Sequence, residues 1–321
     1  MLNIISNSLQ SKKTRGPKKV VENLIKGLKK IDCPYTVNGD ISRYPRIWIH
    51  DDLFTLSIAR KKAPNSQIVV GPNIFVNPED ISPCIDMTGM TYLQPSEMVK
   101  DIWIARGYAS KIEVWPAGID TDTYCPTREI SNRNAVVLYF KNRSEQELES
   151  VMNILQSKNI VPEVIRYGSY KEADYLDSLR KCRFMIWLGG YESQGIALEE
   201  ALSCDVPIIV IDRELPASPF DKKSTAAPYF SDECGIKIKK ISDLSVALDQ
   251  MSARFDTYTP RKYVLNNLSL EKSARRLIEI FDQNKGDNKF VGTTPSRHQI
   301  RKVSIIKRIA REIFLRIRGI K

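Results

Sequence analysis

Gly189-Gly190-Tyr191-Glu192-Ser193-Gln194-Gly195-Ile196-Ala197-Leu198-Glu199-Glu200-Ala201-Leu202 is the stretch from which the rest of the chain is read. An apolar run over 184–188 precedes it and reads as a buried strand, and a second run over 206–211 follows. Between them lie a glycine turn, a helix start and two glutamates eight positions apart, Glu192 in the loop and Glu200 in the helix. A strand, a tight glycine loop and a helix N-terminus make an anion site, because free N–H groups and the helix dipole both favour phosphate. Two carboxylates beside such a site can hold hydroxyls on either side of a phosphate. Hydroxyl, phosphate, hydroxyl is the outline of a sugar nucleotide. The plainer alternative is a solvated acidic helix start, which the dipole also favours.

Working outward, short apolar runs alternate with helical patterns. Residues 3–6, 35–37, 46–49, 67–70, 92–94 and 112–115 read as strands. A helix begins near Pro17 and carries Val20, Val21, Leu24, Ile25, Leu28 and Ile31 on one side, with Lys18, Lys19, Lys26, Lys29 and Lys30 elsewhere. Ser96 is placed to cap a helix running to Arg106. The pattern then restarts, with strands at 135–140 and 163–167, helices at 145–156 and 172–182, and then the opening stretch. Helices at 243–251 and 270–281, the latter capped by Ser269, complete it. Alternation of this kind predicts two doubly wound α/β units built on parallel sheets, meeting near residue 125. Ligands of such sheets bind outside the carboxyl ends of the strands.

Length and composition agree. A chain of 321 residues suits two ordinary domains. Six scattered cysteines, without Cys-x-x-Cys or clustered histidines, argue against a zinc site and a disulfide framework. The short apolar N-terminus is too brief for a signal peptide, and no run approaches the roughly 20 apolar residues of a membrane span. A cytoplasmic, reducing setting is the expectation.

Glu192, Glu200, Ala201, Cys204, Pro207 and the apolar 208–210 together resemble the signature of retaining glycosyltransferases of the GT-B fold, especially family 4. The run 112–120, with Pro116, Gly118, Ile119 and Asp120, is similar to the family's strand and turn before the interdomain linker. The resemblance spans most of 1–282, is faint before residue 92, and meets a first unit shorter than is usual in the family. It implies two Rossmann-like domains facing a cleft, 1–125 on the acceptor side and 126–282 binding the nucleotide sugar.

The resemblance also implies roles. Glu192 would contact the donor sugar and Glu200 the ribose hydroxyls. The N–H groups around Gly195 and Ile196 would take the phosphates, joined by Lys141 and Arg143 after the strand 135–140. Here the chain departs from the family, with Gln146 and Glu147 where a later lysine is expected. Tyr167-Gly168-Ser169-Tyr170 stands where the family binds the base, although an ordinary turn uses the same residues. Gly16 matches the family's glycine loop, but Gly16-Pro17 is also a natural helix start. His50 ends a strand and would contact the sugar or departing phosphate, with Asp51 orienting it or accepting the acceptor's proton. A structural histidine is the alternative. Asp120-Thr121-Asp122 spells a metal motif of another fold but sits in a turn, so it is read as structural. No metal or cofactor beyond the donor is expected.

The charge has a separate origin. Residues 298–321 hold eight Lys/Arg against one Glu, so +7 of the net +11 lies there. Ile306, Ile309, Ile313, Ile317 and Ile320 recur at helical spacing between Lys307, Arg308, Arg311, Arg316 and Arg318. After a linker at 283–297, this predicts a basic amphipathic helix lying on an anionic membrane surface, with the Lys-rich helix at 18–30 as a second contact. Packing on protein and a nucleic-acid arm are the alternatives, the apolar stripe weighing against the latter. The reading is a peripheral retaining glycosyltransferase that moves a sugar from a nucleotide diphosphate sugar to a glycan or lipid-linked hydroxyl, with no nucleic-acid partner. An epimerase-like sugar-nucleotide enzyme and a basic nucleic-acid-binding protein are the other two readings.

Overall fold

The computed structural model describes residues 1–11, 16–127, 129, 132–212 and 224–283. The linker beyond Gln283 and the expected tail helix lie outside the described residues. The first unit contains β1 (Leu2–Ile5), α1 (Gly16–Lys30), β2 (Tyr35–Val37), β3 (Arg46–Ile49), α2 (Leu53–Lys62) and β4 (Gln67–Val70). It continues with β5 (Thr91–Gln94), α3 (Glu97–Ala105) and β6 (Ile112–Val114). Its sheet is six-stranded, ordered β2-β1-β3-β4-β5-β6, with every neighbouring pair parallel.

The second unit contains β7 (Ala135–Lys141), α4 (Glu145–Ser157), β8 (Glu163–Arg166), α5 (Glu172–Lys181), β9 (Cys182–Gly189) and α6 (Ile196–Ser203). Then come β10 (Ile208–Ile211), β11 (Gly235–Ile238), α7 (Leu244–Arg254), α8 (Pro260–Asn267) and α9 (Leu270–Gln283). Its sheet is five-stranded and parallel, ordered β11-β10-β9-β7-β8. In each sheet the chain steps one way from the first strand and then returns to its other side. The order therefore reverses between β1 and β3, and again between β7 and β9, which are the crevices where doubly wound sheets bind ligands.

The strands are apolar on both faces because helices cover both faces. β5 and β10 are buried along their whole length. One core layer joins Leu2, Ile4, Val20, Leu24 and Leu28 to Trp115, Ala274, Leu277, Ile280 and Phe281. α9 follows the second unit in sequence, yet it packs on α1 and the first sheet. Glycines permit the approach. A Cβ at Gly27 would run into the Leu270 carbonyl oxygen, and one at Gly118 would sit 2.8 Å from Leu270 Cα. Ser269 Oγ accepts from Lys272 N at the start of α9, as anticipated.

Three elements escaped the sequence reading. β11 offers only two apolar residues in alternation, and α2 and α8 each bury only two side chains, so none shows a clear period. Ser96 does precede α3, but its hydroxyl donates to the Ser193 carbonyl at 2.7 Å instead of capping the helix. No helix among the described residues is long and apolar enough to cross a membrane.

Candidate active site

The second crevice is built by glycine. Gly190 N donates to the Lys141 carbonyl at 2.8 Å, so the ends of β7 and β9 lie side by side. A Cβ at Gly190 would stand 2.9 Å from the Asn142 carbonyl oxygen. Gly195 then turns the chain into α6 with φ of 98°, a conformation that glycine adopts without penalty. No side chain caps α6. Its first-turn amides have no intrahelical acceptor, and the positive end of the dipole faces the crevice.

Two carboxylates flank this helix start. Glu192 is 7% exposed, and its oxygens lie 2.7 and 2.9 Å from Lys141 Nζ. Burial raises its pKa, with Lys141 acting against the rise. Glu200 is 2% exposed and meets Lys19 Nζ of α1 at 2.8 Å. Burial pushes Glu200 up to about 7, again opposed by its lysine. Lys19 also reaches Glu172 of α5 at 2.6 Å, and Tyr124 Oη donates to the same Glu172 oxygen at 3.1 Å. Burial works against the charge on Lys19, but Glu200 and Glu172 outweigh it and hold its pKa above the usual value.

Several expected site residues stand close to this pair. Gly195 and Ile196 form the helix start. Lys141 lies between Glu192 and the ring of Tyr167, 4.3 Å from the ring centroid. Tyr167 is exposed, and Gly168, with φ of 82°, turns the chain past Ser169 to Tyr170. The Tyr170 hydroxyl lies 3.0 Å from that of Tyr139, whose ring stacks on Trp187 of β9. Gly16 opens α1, and a Cβ there would meet nothing within 4 Å, so packing does not require glycine at this position.

Other expected site residues are engaged within the fold. Arg143, expected at the phosphates, is bound to the protein's own groups. Its side chain is 1% exposed, its Nη1 donates to the carbonyls of Gly189 and Ile211, and Nε and Nη2 bind Glu147. The guanidinium ties together strand ends that would otherwise leave carbonyls unpaired. His50 follows β3 at the first crevice but is fully buried, with Nε2 2.7 Å from Asn73 Nδ2 and Nδ1 3.5 Å from Asp51. Burial lowers its pKa. Asp51 accepts from the amides of Asn7 and Ser8 and from the Ser8 hydroxyl. Burial opposes its ionisation, but His50, Ser8 and Asn7 together hold its pKa well below the usual range. It clamps the loop after β1 and lies beside His50.

Three of the five lysines of α1 pair with carboxylates of other elements. Lys19 reaches Glu200, Lys26 binds Asp120 at 2.6 Å, and Lys30 binds Asp122 and Glu271. Asp120 also accepts from Thr123 N and Oγ1, so its carboxylate is engaged within the turn.

The sequence reading missed Lys19, Glu172, Tyr124 and Gln194. Gln194 lies inside the quoted stretch. Its Oε1 accepts from Ala117 N at 2.9 Å, and its Nε2 donates to Ala117 O and to Glu199, both at 2.8 Å. Lys19 lies 181 positions from Glu200, and no local pattern joins them.

No protein-family model and no curated protein matches the sequence. Solved structures do match. A glycosyltransferase from Rickettsia africae ESF-5 superposes with a TM-score of 0.58 at 12% identity, over 89% of this chain and 98% of that one. Sucrose-phosphate synthase from Thermosynechococcus elongatus gives 0.56 at 12% identity, over 88% and 98%. The catalytic domain of starch synthase IV from Arabidopsis thaliana, bound to ADP and acarbose, gives 0.54 at 11% identity, over 88% and 98%. The fold is GT-B. In this GT-B chain the helices leaving the two crevices, α1 and α6, meet at the Lys19–Glu200 pair.

Proposed function

We propose that the protein is a retaining glycosyltransferase that takes a nucleotide diphosphate sugar in the cleft and transfers the sugar to a hydroxyl of a glycan or lipid-linked acceptor. One observation carries this reading. Glu192 and Glu200, both nearly buried and each matched to a lysine, stand on either side of the uncapped start of α6 at the crevice of the second sheet. In the reaction Glu200 holds the ribose, the amides around Gly195 and Ile196 take the phosphates, and Glu192 orients the sugar beside Lys141. Tyr167 and the turn to Tyr170 receive the base. Fixed dipoles aimed at the diphosphate stabilise the charge that develops as the sugar bond breaks. The acceptor attacks from the face that the diphosphate leaves, which gives retention, and its hydroxyl proton passes to the departing diphosphate oxygen. The structure of a GT-B neighbour that binds ADP supports the choice of donor class. Residues 298–321 supply the membrane contact through their isoleucine stripe and cationic flanks.

The test is a thermal-shift panel of nucleoside diphosphates and nucleotide sugars on wild type and Glu200→Ala. A ligand that binds only the folded state must raise the melting temperature. A rise with one base, lost in the variant, supports the donor site. No rise with any of them, in a folded sample, rejects it.

A further inference from the structure

We infer that Lys19 is a transferable counterion, held by Glu200 and Glu172 in the empty cleft and handed to the donor's diphosphate when the ribose takes Glu200. The inference rests on the donor-site reading above. The observation behind it is one of occupancy. Glu200 has no exposed face to offer a ribose while the Lys19 ammonium lies 2.8 Å from it. Hydroxyls reach that carboxylate only if the ammonium leaves.

A second observation says where the ammonium goes. A diphosphate brings more than one negative charge into a crevice whose expected cations are already engaged. Arg143 is buried against Glu147 and two carbonyls, and Lys141 is paired with Glu192. Lys19 sits near the start of α1, three positions after Gly16, on the helix that leaves the first crevice. A lysine has a flexible stem and a point charge, which suits a move between two anions. Glu172 is the part of the cradle that survives when ribose claims Glu200. Its side chain is about half exposed, so it holds Lys19 weakly once the buried partner is gone. The exchange keeps charge paired at each stage. Lys19 covers the carboxylates when the cleft is empty and the phosphates when it is full, and it ties the first unit to the donor.

The experiment is calorimetric titration of the full chain with UDP, ADP and GDP and with uridine, adenosine and guanosine. Wild type, Lys19→Met and Glu172→Gln are compared. For the base that wild type binds, Lys19→Met should weaken the diphosphate roughly tenfold or more, since a charge-assisted bond to phosphate is lost, while the nucleoside binds as well as before or better, since no ammonium has to leave Glu200. Glu172→Gln, a half-exposed change that leaves the core intact, should tighten the diphosphate severalfold by releasing Lys19. Equal weakening of nucleoside and diphosphate in Lys19→Met, or unchanged diphosphate affinity in both variants, overturns the inference and leaves the donor site standing. If wild type binds none of the six compounds, the donor-site reading itself fails and the inference falls with it.

Discussion

Gln194 and Ala117 pair side chain to main chain in both directions, Ala117 N donating to Oε1 at 2.9 Å and Nε2 donating to Ala117 O at 2.8 Å. This amide clasp joins the loop bearing Glu192 to the segment after β6, so the motif loop of one sheet is anchored on the other. Gln194→Ala leaves buried groups on Ala117 and Glu199 without partners. The expected loss is roughly 3 kcal/mol, since each unsatisfied buried group costs about 1–3. Urea unfolding measures it, and a change below about 0.5 kcal/mol would rule out the clasp as an energetic link.

Glu199 lies directly beneath that clasp. It is fully buried, and burial raises its pKa well above the usual value, with Gln194 acting against the rise. An acid with a raised folded pKa contributes stability that is present below its unfolded pKa and is lost as pH climbs toward the folded one. Glu199→Gln keeps a neutral acceptor for Gln194 and removes this loss. The melting temperature of the variant relative to wild type should therefore increase as pH rises from about 5 to about 9. A constant difference across that window would reject the assignment.

Glu200 gives a pH dependence to binding instead. Burial pushes it up to about 7, and the charged groups nearest it include Lys19 of α1 and Glu172 of α5, with the Tyr124 hydroxyl before β7 beside them. Ribose hydroxyls donate to the ionised carboxylate, so affinity for a nucleotide sugar should rise as pH climbs through about 7. A nucleotide sugar is the right probe because its diphosphate does not titrate in this window. Glu200→Gln should flatten the profile. A flat wild-type profile between about pH 6 and about pH 8 counts against a ribose contact.

Arg143 should behave as a structural residue. Removing it strips a buried partner from Glu147 and leaves two strand-end carbonyls unpaired. Arg143→Met is expected to cost roughly 3 kcal/mol in urea unfolding, as breaking a buried pair does. Diphosphate affinity per folded molecule should remain close to wild type. A selective loss of diphosphate over nucleoside would restore its expected role.

Gly27→Ala tests the packing of α9 on the first unit. The added methyl runs into the Leu270 carbonyl, a main-chain atom that cannot rotate away. Overpacking of this kind costs about 1–3 kcal/mol, although alanine favours the helix itself. A stabilised variant in urea unfolding would mean that α1 and α9 separate easily.

The sequence by itself determined the two α/β units, most strand positions, the glycine turn at Gly195 and the candidate pair Glu192 and Glu200. These are local facts. Apolar runs mark buried strands, a positive φ calls for glycine, and a fixed spacing places two carboxylates around one helix start. Tertiary structure decided what those groups meet. Lys19 reaches Glu200 across 181 positions, α9 returns to the first sheet, and Gln194 clasps Ala117. It also turned Arg143 inward, sealed His50 under Asn73 and gave Asp51 to the loop after β1. A side chain's partner and its solvation follow from the packing of distant segments, and those set whether a charge is free for a ligand or committed to the fold.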